Sequence, residues 1–340
     1  MLRLLLIFLI TTSCLKSQTI GGENVFHFIK LPNTPQLTAL GGLNLSNQTN
    51  DVGLVFHNPS LLHPDMHAQL NLVYNSFFAG IRNFQLQSAY YKKNWATTFG
   101  LGIHYFHYGS VVQTDVSGNI LGNFKPADYL IQVNAARSYS PRITYAGTIK
   151  FIQSNYGQYH SSGLALDVSV LYADTSNLLR ASLVLKNMGV QLKPFQGSDK
   201  DDLPFDIQAG ISKRLSKAPL QFSLTVHHLH QFDILYQDTA FMNEFPGRNR
   251  IKQSYFFDKL FRHFVFATQL MLNERVEISV GYNHLRRKEL NSGNSGNGLN
   301  GFSMGFGVLF RKLQIRYARA YYQNTRAYIQ FGLSMDLKGL

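Results

Sequence analysis

One cysteine, one tryptophan and 19 acidic side chains against 32 Lys and Arg are what this chain of 340 residues has little of. Past its first residues it also lacks any apolar run of about eighteen. Each shortage excludes something. A helix crosses a bilayer only with roughly 20 consecutive apolar residues, so beyond the N-terminus no helical span is available. Cys14 is the single thiol and falls in the leader described below, so the mature chain is expected to have neither a disulfide nor thiol chemistry. A mean hydropathy of −0.11 with 45% hydrophobic residues is too polar for a helical membrane bundle. The shortage of acids leaves a formal charge of +13. The bases are dispersed or sit in turns such as 91–94 and 286–288. They read as solvated loop charge able to meet anionic lipopolysaccharide, with no nucleic-acid partner.

Aromatics are abundant instead: 26 Phe and 18 Tyr. In 301–310, Phe302, Met304, Phe306, Val308 and Phe310 alternate with small residues, and in 327–337 Ile329, Phe331, Leu333 and Met335 alternate with Tyr328, Gln330, Gly332 and Ser334. A period of two over about ten residues is a strand with one greasy face, and that length suits a barrel wall in a membrane. The same pattern recurs at 68–75, 83–91, 95–106, 128–138, 143–154, 163–172, 179–188, 205–213, 220–230, 264–272, 276–284 and 313–321. With the two segments above, fourteen strands are expected, an even number as such barrels prefer. A short stretch at 111–116 is assigned to a hairpin within a loop. Short connections (92–94, 139–142, 173–177, 215–219, 273–275, 311–312) alternate with longer ones (77–82, 107–127, 155–162, 189–204, 231–263, 287–300), with 323–326 the one short member of the second set. Outer-membrane barrels keep short turns on the periplasmic side and long loops outside. The expected fold is therefore all-β: a transmembrane outer-membrane β-barrel of about 14 antiparallel strands over 67–340. Gln208, Ser212, Gln221, Ser223, Thr225, Gln314, Arg316 and Gln330 should point inward.

Ahead of the barrel, residues 1–17 read as a signal peptide. Arg3 supplies charge, 4–10 the apolar core and 11–17 the cleavage region, with a cut after Ser17 or, alternatively, acylation of Cys14. Residues 18–66, rich in turn pairs such as Gly41-Gly42 and Asn58-Pro59, form an N-terminal periplasmic or hatch segment that begins on the periplasmic side. Gly41 and Gly42 allow close backbone passage, and Asn58-Pro59 fixes a turn without needing a donor from Pro59.

Several motifs invite sharper chemistry. Residues 301–305 match G-x-S-x-G, but the alternation runs on through them, so Ser303 is a small lumen residue rather than a nucleophile on a strand-to-helix turn. His227, His228 and His230 suggest a metal. On a strand only His228 and His230 share a face, and no acid or cysteine stands nearby at ligand spacing, so no metal site is expected. The acidic run 198–202 lacks the alternation of a calcium loop, and 291–300 has no strand–glycine–helix order to cradle phosphate. No enzymatic activity and no cofactor are expected. The connection 231–263 concentrates Tyr255, Phe256, Phe257, Leu260 and Phe261, a candidate partner-contact element with a plug helix as the rival reading.

The order and spacing of several motifs resemble a known family. Residues 39–42 (Ala-Leu-Gly-Gly), Asp51 and 57–62 (His-Asn-Pro-Ser-Leu-Leu) resemble the start of FadL-like outer-membrane barrels, in which an Asn-Pro segment packs inside as a hatch. More narrowly, the chain looks like the PorV/PorQ family of the type IX secretion system. Residues 24–32, then Gly118, Gly122 and Phe124 leading to Asp128-Tyr129, carry that likeness, and 203–205, 210–212, 218–220 and 257–264 lean to its PorQ branch. The resemblance implies a non-enzymatic component of the cell-surface attachment complex. Its partners would be the surface protein PorZ, the sortase-like PorU and the cargo shuttle PorV, beside outer-membrane lipid and lipopolysaccharide. The alternative is a FadL-type transporter of hydrophobic small molecules, which needs an apolar pocket and an opening in the wall.

Overall fold

The computed structural model describes residues 24–47, 49–77, 80–234, 256–273, 275–290, 298–321 and 327–338. The leader, its cleavage site and Tyr255 lie outside the described residues. Fourteen strands close into one antiparallel barrel. In chain order they are β1 (Gln69–Ser76), β2 (Arg82–Lys92) and β3 (Thr97–His107), then β6 (Ala127–Ser138) to β16 (Ala327–Asp336). The two between, β4 (Val111–Thr114) and β5 (Ile120–Phe124), form a separate hairpin in the connection before β6, as the sequence predicts. The seam joins first strand to last, with Gln69 opposite Asp336 and Ser76 opposite Ile329.

Burial is inverted relative to a water-soluble sheet. On β6, Gln132 and Asn134 are fully buried while Ile131 and Val133 are 46% and 52% exposed. The same holds around the ring: Phe84, Leu101, Phe151, Leu166, Phe222, Val280, Phe306 and Phe331 point out, and Gln85, Thr148, Asp167, Gln208, Ser223, Ser279 and Arg316 point in. An outward apolar band cut from water is stable only against lipid, so the fold is that of the outer-membrane barrels. The predicted inward residues all lie on the inner face, Gln314 half-buried.

Some boundaries differ from expectation. The turn between β7 (Ile143–Tyr156) and β8 (Tyr159–Asp174) takes only Gly157 and Gln158, where a longer connection at 155–162 is predicted, and β9 (Leu179–Lys193) runs five residues past the predicted 188. Asn187 is left-handed (φ 55°) and the β8–β9 register slips beside it, so the alternation changes phase there although Val190 and Leu192 face out and Gln191 faces in. Inside the ring, the segment ahead of β1 is a chain of short helical turns: 3-10 turns at His27–Lys30, Val52–Phe56, Pro59–Leu61 and Pro64–Met66, and helix α1 at Pro35–Ala39. Asn24 bridges Asp202 in the connection from β9 to β10 (Asp206–Arg214), at the end with the long loops. Ala68, by contrast, hydrogen-bonds Ala89 near the short-turn end. The segment thus runs the length of the lumen.

Candidate functional site

Thr34 caps α1 by accepting from the Leu37 N–H at 3.2 Å, and Pro35 at the first turn needs no donor. The helix stops at Gly41 and Gly42, both at positive φ (86° and 89°), with the Gly42 N–H returning to the Leu37 carbonyl. Here the hatch presses on the wall. A Cβ at Gly281 of β13 (Val276–Asn283) would stand 2.1 Å from the Gly41 nitrogen, so backbone meets backbone with no side chain between. Ser303 Oγ accepts from the Gly41 N–H and donates to the Ala39 carbonyl, both at 3.0 Å. That ties the G-x-S-x-G serine to the hatch.

Asn58 spends its amide fully: Oδ1 accepts from the Ser60 N–H and hydroxyl, and Nδ2 donates to the Leu45 carbonyl at 2.6 Å and to Ser182 of the wall at 2.8 Å. Pro59 follows as first residue of its 3-10 turn.

Two buried charge clusters join hatch to wall. Arg316 reaches Asp51 of the hatch (3.1 Å) and Glu277 of the wall (3.4 Å). Asp51 also accepts from Gly53 N–H and Ser334, and Glu277 from Gln36 and Gln269. Two carboxylates and their neutral donors thus enclose one guanidinium, and removing one member of such a buried pair costs about 3–5 kcal/mol. Nearer the long-loop end, Lys150 pairs with Asp167 at 2.5 Å, and Lys186 donates to His57 Nδ1 at 2.8 Å. Burial first, then the Lys186 and Lys150 charges, hold the His57 imidazole well below its ordinary range, so it accepts as a neutral ring.

Above these polar layers the mouth turns apolar. Val25, Phe26, Phe28, Ile29 and Phe56 of the hatch pack against Phe106, Leu130, Ile152 and Ala165 of the wall. A cleft of about 300 Å³ lies beside them, lined by Asn24, His27, Tyr108, Asp128, Tyr156 and Asp201 among others. Tyr108 and Tyr156 both donate to the inward Asp128 carboxylate, at 2.5 and 3.2 Å; burial and then Asp128 push the Tyr108 phenol up. Tyr129 faces out and stacks on Tyr105. Gly118, Gly122 (φ 85° and 148°) and Phe124 belong to the β4–β5 hairpin. The wall is incomplete at this end. The β9–β10 ladder ends at the Lys186–Asp206 pair, and beyond it β9 continues to Lys193 with only β8 as ladder partner.

Of the five residues in the proposed contact element, four are described. Helix α2 (Phe256–Phe261) exposes Phe256 (61%) and Phe257 (68%), leaves Leu260 half-buried and turns Phe261 toward Phe264 and His284. It is braced on α3 (His284–Leu290) by Asp258, whose carboxylate meets Arg262 and Lys288, each at 2.8 Å. The described part of this connection leaves Phe256 and Phe257 exposed rather than packed inside the ring. The histidines depart from expectation. Strand β11 (Leu220–Val226) stops before them, and His228 adopts φ 54°, so strand alternation no longer applies. The acid absent from the local sequence is Asp206, brought in from β10 (Asp206–Arg214). Only pairing of β10 with β11 could reveal it.

A closed 14-stranded barrel with its N-terminal segment inside defines the class. Among solved structures the chain is similar to the Pseudomonas putida toluene transporter TodX, at 11% identity and a TM-score of 0.51 over 94% of this chain and 99% of that one. It is also similar to the monoaromatic hydrocarbon channel CymD, at 12% identity and a TM-score of 0.52 over 90% and 97%. These FadL-like channels share the fold. No protein-family model and no curated sequence matches the chain.

Proposed function

We propose that this chain is a non-enzymatic outer-membrane anchor of a type IX secretion attachment complex, holding a PorZ-like surface protein near the sortase and the cargo shuttle. The observation that carries the reading is a lumen filled from end to end by a latched hatch, with aromatic side chains of α2 offered at the mouth. The motif order shared with the PorV/PorQ family supports it. Buried Asp51–Arg316–Glu277 charges suit a shut barrel better than a greasy tunnel, and exposed aromatics suit a contact surface.

A second reading is FadL-type transport of hydrophobic small molecules, and the structural comparisons lean to it, since both neighbours are hydrocarbon channels. Two observations favour it as well: the apolar cluster at the mouth, and the stretch of β9 left unpaired on its β10 side. One triple variant separates the readings. Phe256→Ser with Phe257→Ser and Phe261→Ser is expected to insert, migrate heat-modifiably and lose co-purification with the surface protein. Retained association, together with toluene uptake by liposomes carrying the wild-type barrel, would replace the anchor by the transporter.

A further inference from the structure

His227 and His228 bring their Nδ1 atoms within 2.5 Å of each other, through the left-handed backbone at His228. A neutral imidazole carries one ring proton, so two ring nitrogens this close share one; opened by under ~1 Å, to the roughly 3.3 Å between ligands on a tetrahedral ion with bonds of about 2.0–2.1 Å, they would make a metal-binding pair. The third group on the same spot is a carboxylate: one donor atom from each of Asp206, His227 and His228 lies within 4.8 Å of the other two. His230 Nδ1 stands 3.9 Å from Asp206 Oδ1, near enough to be drawn in as a fourth donor.

The surroundings orient these groups. Asp206 accepts from the His228 N–H at 2.7 Å and from Gln208 Nε2 at 2.6 Å, which fixes its carboxylate plane. The His227 backbone is held from both sides of the ladder: its carbonyl accepts from His263 Nδ1 at 2.8 Å, and its N–H donates to the His263 carbonyl at 3.1 Å. Outer hydrogen bonds of this kind orient ligands in metal centres. His228 and His230 keep about a quarter of their side chains open (24% and 27%), so an ion can enter from the mouth.

We propose that Asp206, His227 and His228, with His230 as fourth donor, bind a divalent transition-metal ion of the zinc class. Two or three imidazoles with one carboxylate, and no thiolate, suit borderline ions such as Zn²⁺ over Ca²⁺ or Mg²⁺, which take oxygen ligands. The ion would clamp the end of β11 to the start of β10, beside the step where β9 loses its partner. This goes beyond either functional reading and depends on neither.

The test uses the full chain refolded in detergent, stripped with chelator and titrated calorimetrically with Zn²⁺. One equivalent is expected to bind, with no comparable response to Mg²⁺. His228→Asn removes the imidazole while asparagine tolerates the left-handed backbone, and it should abolish that equivalent. Asp206→Asn is the second variant if the first fails to fold, while the exposed His160→Ala should bind as wild type. No binding by the wild type, binding unchanged in a folded His228→Asn or Asp206→Asn chain, or loss in His160→Ala would each overturn the site.

Discussion

At the scale of single residues, His57 shows how a polar lumen is kept shut. Its imidazole is fully enclosed and accepts from the Lys186 ammonium, which only the neutral ring can do. In the unfolded chain the ring titrates near its ordinary value of about 6.5; in the fold its pKa lies well below that, through burial and then the charges of Lys186 and Lys150. The unfolded state therefore binds the extra proton first. The stability this group contributes is present above about pH 6.5 and is lost progressively below it. Urea unfolding of the refolded barrel between about pH 8 and pH 5 should show a midpoint that falls on the acid side. His57→Gln, which keeps an acceptor and cannot titrate, should flatten that fall. An equally steep profile in the variant would assign the acid sensitivity elsewhere.

At the scale of elements, α1 and β13 are fitted to one another by the absence of side chains. A methyl at Gly281 would meet the Gly41 nitrogen at 2.1 Å and the Leu40 carbonyl carbon at 2.4 Å, both backbone and neither able to swing away. Gly281→Ala should therefore cost about 1–3 kcal/mol of unfolding free energy, as overpacking does. Gly147→Ala, whose added carbon meets nothing closer than 3.7 Å, should be near neutral. Equal midpoints for the two variants would remove the close passage as the reason for glycine. The strands themselves were legible in the sequence because lipid imposes a period of two: all fourteen are where Phe302 to Phe310 and their counterparts alternate. What was not legible lies outside that band. The tip of β9 lies past the left-handed Asn187, where its register on β8 slips, and the kink at His228 depends on one φ angle. Asp206 reaches the histidines only through the Ala209–Val226 ladder, which no local spacing encodes. The partners Arg316 offers to Asp51 and Glu277 are likewise a matter of lumen geometry.

At the scale of the whole molecule, the route of the hatch has a consequence for assembly and for sidedness. Asn24 sits beside Asp202 at the long-loop end, Gln69 opens β1 at the other end, and β1 is one side of the seam that β16 closes. The segment that ends at Ala68 runs straight into β1, one side of the β1–β16 seam, so the hatch is covalently joined to the strand that closes the ring. Asn24 lies at the long-loop end and Leu337, bonded to the Ala68 carbonyl, at the short-turn end. With long loops facing the medium, an epitope inserted just before Asn24 should be reached by antibody on intact cells, while one placed after Lys338 should need permeabilised cells. Labelling of both tags from the same side would reverse the threading. The described hatch thus joins the two mouths of the barrel, entering beside Asp202 and leaving at Ala68.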